Sequence, residues 1–259
     1  MLASIAKAQK VFENSCEGAG YTIDLLIKAF FQMGRVAKKR RELLDQLSLC
    51  MLGSIGVVFI IAFFTGMIVS LQTGLELRKY GQEQSLGYIV AVGMCREMGP
   101  VFTCLTLAGL VGSTYAAEIG TMKVSEEVDA LEVMSIDPIY YLVMPRVIAL
   151  GVAAVALTVY ADLIGILGGS LVAKSSFGVD IVVFLKNAQD ILKLRDIYGG
   201  LGKSLVFGVS IAAVSCSQGL RAGHGAAGVG KATLRAVVVS FIVLLVFDYL
   251  LSWMLQYER

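Results

Sequence analysis

Charge-free apolar runs, separated by short polar stretches, set the rhythm of this chain. From Gln46 to Leu75, "QLSLCMLGSIGVVFIIAFFTGMIVSLQTGL" contains no charged residue, which is long enough to cross a bilayer with some tilt. A second run, from about Ser85 to Ala117, is apolar except for the adjacent Arg96 and Glu97, followed by Gly99-Pro100. Proline removes a backbone donor and disfavours helix just before it, so a kink or break is expected near Met98. A third run, about Val147 to Ala173, holds Asp162 and a small-residue set at Gly165, Gly168, Gly169 and Ser170, of the kind that lets helices approach closely in lipid. The fourth runs from about Ile197 to Leu220 with Lys203 near its start, and the last from Ala236 to Tyr257 with Asp248 inside. The pattern predicts an all-α membrane protein with five transmembrane helices, in two parts: residues 1–45 as an N-terminal amphipathic arm and residues 46–259 as the five-span body.

In that arm, Ile5, Val11, Phe12, Ile23, Leu25, Leu26, Ile27, Phe30 and Phe31 recur at near-helical spacing. One or two helices lying in the membrane interface fit this spacing, as does an ordinary amphipathic arm on the aqueous side. Lys7, Lys10, Glu13, Glu17, Asp24 and Lys28 interrupt it, unlike the apolar core of a cleaved signal. Eight basic residues precede the first span: Lys7, Lys10, Lys28, Arg35, Lys38, Lys39, Arg40 and Arg41. The next loop has only Arg78 and Lys79. The positive-inside rule therefore places the N-terminus in the cytoplasm. The stretch 174–203 dissents, with Lys174, Lys186, Lys193, Arg195 and Lys203 on the expected outer side.

Composition agrees with the pattern. The chain of 259 residues is 57% hydrophobic and 16% charged, against about 25% charged in soluble domains. Cys16, Cys50, Cys95, Cys104 and Cys216 form no C-x-x-C pair and read as small buried hydrophobes. With one histidine, His224, no metal site and no cofactor are expected. "GHGAAG" and "GAAGVGKAT" (Gly223–Thr233) mimic nucleotide-binding patterns, but they follow a membrane span and Ala232 stands in the Ser/Thr position. A flexible glycine turn is expected there instead, and any ATPase must be a separate polypeptide.

"AAEIGTMKVSEEVDALEVMSIDP", Ala116–Pro138, carries Glu118, Glu126, Glu127, Asp129, Glu132 and Asp137 against Lys123 alone. Ser125 is the expected N-cap, with Glu126 and Glu127 in the first turn. At helical spacing Val124, Val128 and Leu131 fall on one side, and Glu126, Asp129 and Glu132 on the other. The segment is either a solvated connector or a docking element for a soluble partner. Inside the spans, Arg96 and Glu97 are either a mutually neutralised structural pair or a polar lining for a phosphate-bearing headgroup. Lys203 could snorkel or meet a phosphate. Asp162 and Asp248 read first as packing groups, with a proton relay as the other reading.

"REMGPVFTCLTLAGLVGSTYAAEIGTMKVSEEVDALEVMSIDPIYYLVMPR" (Arg96–Arg146) resembles the signature block of the MlaE permease family. "LGGSLV" (Leu167–Val172), "GKSLVF" (Gly202–Phe207) and "GVGKATLRAVVVS" (Gly228–Ser240) fit in order. Leu110 and Leu234 depart from residues common in the family, Arg and Thr. The resemblance implies N-terminal interfacial helices, five spans, and a coupling helix at Ser125–Met134 between spans two and three. Glu126, Glu127, Val128, Asp129, Leu131, Glu132 and Met134 would then contact an ABC ATPase subunit. It further implies a homodimer in a bacterial inner membrane, an MCE-domain partner on the periplasmic side, and a small STAS-type accessory subunit. Phospholipid would be the substrate, with Leu71, Tyr80, Arg96, Glu97 and Lys203 along its pathway, and no nucleic acid is involved.

Two other classes stay open on the residues alone. A proton-coupled secondary transporter would use Glu97, Asp162 or Asp248, against which no inverted repeat is visible. An intramembrane lipid-modifying enzyme would need a clustered His, Asp or Cys constellation, and the sole His lies in a glycine-rich stretch.

Overall fold

The computed structural model describes residues 2–32 and 39–257, with side chains described for residues 17–32 and 39–255. Arg35 and Lys38, and the side chains of Ile5, Lys7, Lys10, Val11, Phe12, Glu13 and Cys16, lie outside the described residues. All regular structure among the described residues is helical. α1 spans Leu2–Phe31 and α2 Arg40–Arg78. The second span is built from α3 (Leu86–Gly93), α4 (Gly99–Leu107) and α5 (Ser113–Val124), joined by single π turns at Met94–Met98 and Ala108–Gly112. α6 is Glu127–Val133, and a third π turn, Ile139–Val143, leads into α7, Met144–Phe177. α8 (Ile181–Ile191) precedes α9 (Leu194–Leu220), and α10 runs over Gly225–Tyr257.

Five helical stretches are long and apolar enough to span a membrane: Arg40–Arg78, Glu83–Val124, Ile139–Phe177, Leu194–Leu220 and Gly225–Leu255. Each overruns the apolar run that marks it, because helix continues into the polar ends. The largest extension at a single end is that of the last span, which starts at Gly225 rather than Ala236. The expected glycine turn is thus confined to residues 222–224: Gly225 opens α10 with φ 70°, and Gly228 in its first turn packs against Gly223 in the preceding connection.

α7 and α9 form the centre, and α2 and α10 are the most exposed spans. α2 docks on α7 through a stripe repeating every fourth residue: Cys50, Ser54, Val58, Ala62, Gly66, Ser70 and Gly74. Small side chains at this spacing let two backbones meet, which drives association where lipid supplies no hydrophobic contrast. A Cβ on Gly66 would collide with the Gly165 carbonyl. The Ser70 hydroxyl donates to the Gly169 carbonyl at 2.9 Å. Tyr115, Phe207, Leu150 and Leu157 fill the core between spans two, three and four. Cys50, Cys95, Cys104 and Cys216 are free and buried, as their apolar surroundings suggested. α8 closes one end against α3, with Phe184 fully enclosed.

Two of the three π turns, Met94–Met98 and Ile139–Val143, are followed closely by a proline. Pro100 and Pro145 each come two residues after a π turn ends. Proline cannot bond the carbonyl four residues back, which frees Arg96 O and Tyr141 O. Both find lysines: Lys203 Nζ donates to Arg96 O at 3.1 Å, and Lys39 Nζ to Tyr141 O at 3.5 Å. The helix near Met98 is therefore widened by one residue rather than broken, because a nearby cation takes up the orphaned acceptor.

Candidate functional site

Two places collect the charges, at opposite ends of the bundle. At the end away from α6, the π turn Met94–Met98 rotates Arg96 and Glu97 towards α9 and α10. Arg96 and Glu97 do not neutralise each other. Arg96 Nη2 pairs with Asp196 at 2.7 Å, and its Nε donates to the same carboxylate at 2.9 Å. Glu97 takes Lys203 at 2.7 Å, and Lys203 also meets Asp248 at 3.1 Å and donates to Ser252 Oγ at 2.7 Å. Ser252 in turn donates to Glu97 at 3.1 Å. The Lys203 side chain is only 3% exposed, whereas that of Glu97 is 44% exposed. A lone lysine at a span centre costs roughly 3 kcal/mol. Two carboxylates, a hydroxyl and a carbonyl offset that cost here.

These groups border a cavity of about 300 Å³, whose wall includes Arg96, Glu97, Arg195, Asp196, Lys203 and Ser252. It is polar along the ion pairs and bounded by Val92 and Leu255. Chemically the cavity wall carries a guanidinium and a nearly enclosed ammonium, each held by carboxylates, and both are groups that can pair with a phosphate. Leu71 and Tyr80 do not line it: both are exposed, on the outer face of α2 and in the turn after it. Asp248 is part of the network, so its mid-span position has a partner. Asp162 is apart from it. Its carboxylate presses against the Gly99 backbone, and Oδ1 has no hydrogen-bond partner.

The second place is α6, held between spans two and three. It is shorter than the expected Ser125–Met134 helix, and Ser125 does not cap it. The Ser125 hydroxyl bonds back to Thr121 O at 3.0 Å, closing α5, and Glu126 turns the chain with φ 62°. One residue anchors α6: Val128 is buried, worth about 1.5 kcal/mol or more. Lys123 pairs with Asp129. Asp137 caps the next segment, accepting from Ile139 N at 2.9 Å, and takes Gln32 at 2.6 Å. Leu131 is half-buried, while Glu126, Glu127, Glu132, Val133 and Met134 are exposed, Val133 at 87%. α6 therefore presents an acidic ridge ending in two bare apolar side chains.

The spans that flank α6 are tied together by polar contacts. Arg146, buried, pairs with Glu118 at 2.8 Å, donates to Leu142 O at 3.0 Å, and lies over the Tyr115 ring. Lys39 sits 3.6 Å from the Tyr141 ring centroid, pinning the start of α2 to span three. Its burial lowers the pKa of its ammonium. Lys39 therefore serves packing, while Arg40 and Arg41 remain exposed beside it. Asp196, Ser252, Arg146 and Lys39 are the residues of these sites to which the sequence alone assigned no role in them.

Residues 43–254 match the family model described as permease MlaE. The chain is 39% identical over 237 residues to a probable ABC transporter permease protein of Synechocystis, covering 89% of this chain and 90% of that protein. It is 42% identical over 202 residues to a probable ABC transporter permease protein of Rickettsia typhi, covering 78% of each. With the Arabidopsis thaliana chloroplastic protein named trigalactosyldiacylglycerol 1, it is 38% identical over 212 residues, 82% of this chain and 61% of that protein.

Proposed function

Because the chain belongs to the MlaE permease family, we propose that it is the subunit of an ABC transporter that carries phospholipid through the membrane, driven by a separate ATPase. The observation that carries this reading is the ion-pair network around the cavity of about 300 Å³. Lys203 is buried and held in place, while Glu97 and Arg96 keep part of their surface open to an entering headgroup. A phosphate competes with Glu97 for Lys203 and with Asp196 for Arg96. The glycerolipid in the name of the Arabidopsis relative supports lipid as the substrate class.

In this reading α6 is the coupling helix, whose acidic ridge and bare Val133 and Met134 meet the ATPase. The N-terminus lies on the same side, in the cytoplasm, as the basic Arg40 and Arg41 beside the first span favour. Two copies assemble through the exposed apolar faces of their outer spans, which would bring Leu71 and Tyr80 towards a shared pathway. Lipid is exchanged with an MCE-domain protein on the far, periplasmic side of a bacterial inner membrane. α1 lies along the membrane surface, with Ile23, Ile27 and Phe30 outward and Leu25 and Ala29 on the bundle.

The test is photocrosslinking with a phospholipid carrying a reactive headgroup in membranes containing the complex. Wild type should label residues of α3, α9 and α10 around the cavity, and Arg96→Ala should reduce labelling several-fold. Labelling that is unchanged in Arg96→Ala would move the network to a purely structural role.

A further inference from the structure

A second cavity, of about 770 Å³, lies between α1, α9 and α10 and takes no part in the site above. Its wall is apolar along Leu26, Val214, Val239, Val243 and Phe247, and its mouth carries Gln218, Arg221 and Arg235. The same three mouth residues border an adjoining cavity of about 360 Å³ that adds His224 and Lys231. Arg221 lies over the Tyr21 ring and against Gly18, where a Cβ would come within 2.7 Å of its Nη1. Among the described residues no carboxylate pairs with Arg221, Lys231 or Arg235. This contrasts with Arg96, Lys123, Arg146 and Lys203, each of which has its acid.

The topology places this mouth. The α9–α10 turn follows the fourth span and α6 follows the second, so both lie at one end of the bundle. From Arg235 to Phe247 the α10 wall rises about 18 Å, at roughly 1.5 Å per residue, close to the ~15 Å depth of one leaflet's hydrocarbon. The groove is thus basic at headgroup depth and apolar for the length of an acyl chain, and basic pockets of this kind between spans suit anionic headgroups.

We propose that this groove binds one phospholipid with an anionic headgroup from the leaflet on the α6 side. Its phosphate lies between Arg221 and Arg235, and one acyl chain runs along Val239, Val243 and Phe247. α1 meets α9 here through few groups, among them Thr22, whose hydroxyl donates to Ser217 Oγ at 2.8 Å. The lipid fills the remaining space and ties α1 to the last two spans. This site is separate from the Arg96 cavity at the other end, and its occupancy requires neither the ATPase nor transport.

The test uses the full chain in phosphatidylcholine nanodiscs containing a minor fraction of either phosphatidylglycerol or phosphatidylcholine with a photoreactive acyl chain. The phosphatidylglycerol probe should label the α1 and α10 peptides about tenfold more than the phosphatidylcholine probe. Arg221→Gln with Arg235→Gln should abolish that preference. Val243→Trp should block labelling by both probes with the basic mouth intact. Should the double variant not fold, competition of unlabelled phosphatidylglycerol against the probe on wild type reads the same preference. Equal labelling by the two probes, or labelling that survives Val243→Trp, would overturn the proposal. So would a disulfide between two copies of Val243→Cys in native membranes, since a second copy would then occupy the groove. Variants of Arg96 or Lys203 that stop transport should leave this labelling untouched.

Discussion

Lys203 is the residue on which the ion-pair network turns. It is nearly inaccessible, yet it reaches two carboxylates, a hydroxyl and the carbonyl that Pro100 leaves without its helical donor. Lys203→Met would leave Glu97 and Asp248 facing each other without a cation. Breaking a buried pair costs about 3–5 kcal/mol, and the half-open Glu97 reduces that to roughly 2 kcal/mol through solvent screening. Thermal unfolding in mild detergent should show a lower midpoint, and adding Asp248→Asn should restore part of it. None of these pairings was legible in sequence. Arg96 and Asp196 are a hundred residues apart, and Asp196 stands one residue before the apolar run that marks the fourth span. It therefore looked like a loop acid. The adjacent Arg96 and Glu97 invited a local pairing that the π turn prevents by pointing each towards a different partner.

At the scale of elements, the apolar runs carried most of the information. Five spans were readable because a bilayer demands long charge-free stretches. Their ends were not, since helix outlasts hydrophobicity. The small residues of the third span were legible as a contact face, and the matching every-fourth stripe in α2 lies in plain view once spacing is counted. Gly66→Leu should disrupt α2–α7 packing by about 1–3 kcal/mol, read as reduced yield and a lowered unfolding midpoint. Gly53→Leu, where an added Cβ meets nothing within 4 Å, should be silent. For α6, the sides of its residues followed from periodicity. Its cap did not, because Ser125 bonds back into α5. Val133→Glu with Met134→Glu alters only exposed atoms. It should preserve folding while uncoupling ATP hydrolysis from lipid movement several-fold in the assembled complex. Glu127→Lys with Leu131→Asp should do the same. Normal transport in both double variants would remove α6 from the coupling role.

At the scale of the whole molecule, two charged features lie apart along the bundle. A charged cavity sits near one end, and an acidic helix beside the Arg146–Glu118 ion pair sits at the other. Between them run α7 and α9, the most enclosed spans, whose close packing suits them to move as rigid units in the proposed coupling. Asp162 is buried in α7 but belongs to none of the ion pairs, and its Oδ1 has no hydrogen-bond partner, so Asp162→Asn should leave ATP-driven transport unchanged within about twofold. A proton-driven carrier would instead lose activity in that variant.

The most direct measurement is phospholipid movement in proteoliposomes holding this chain with the ATPase that co-purifies with it. Movement should require ATP, stop when hydrolysis is blocked, and persist when a protonophore collapses the gradient. Movement by the chain alone, lost on adding the protonophore and indifferent to ATP, would contradict the account.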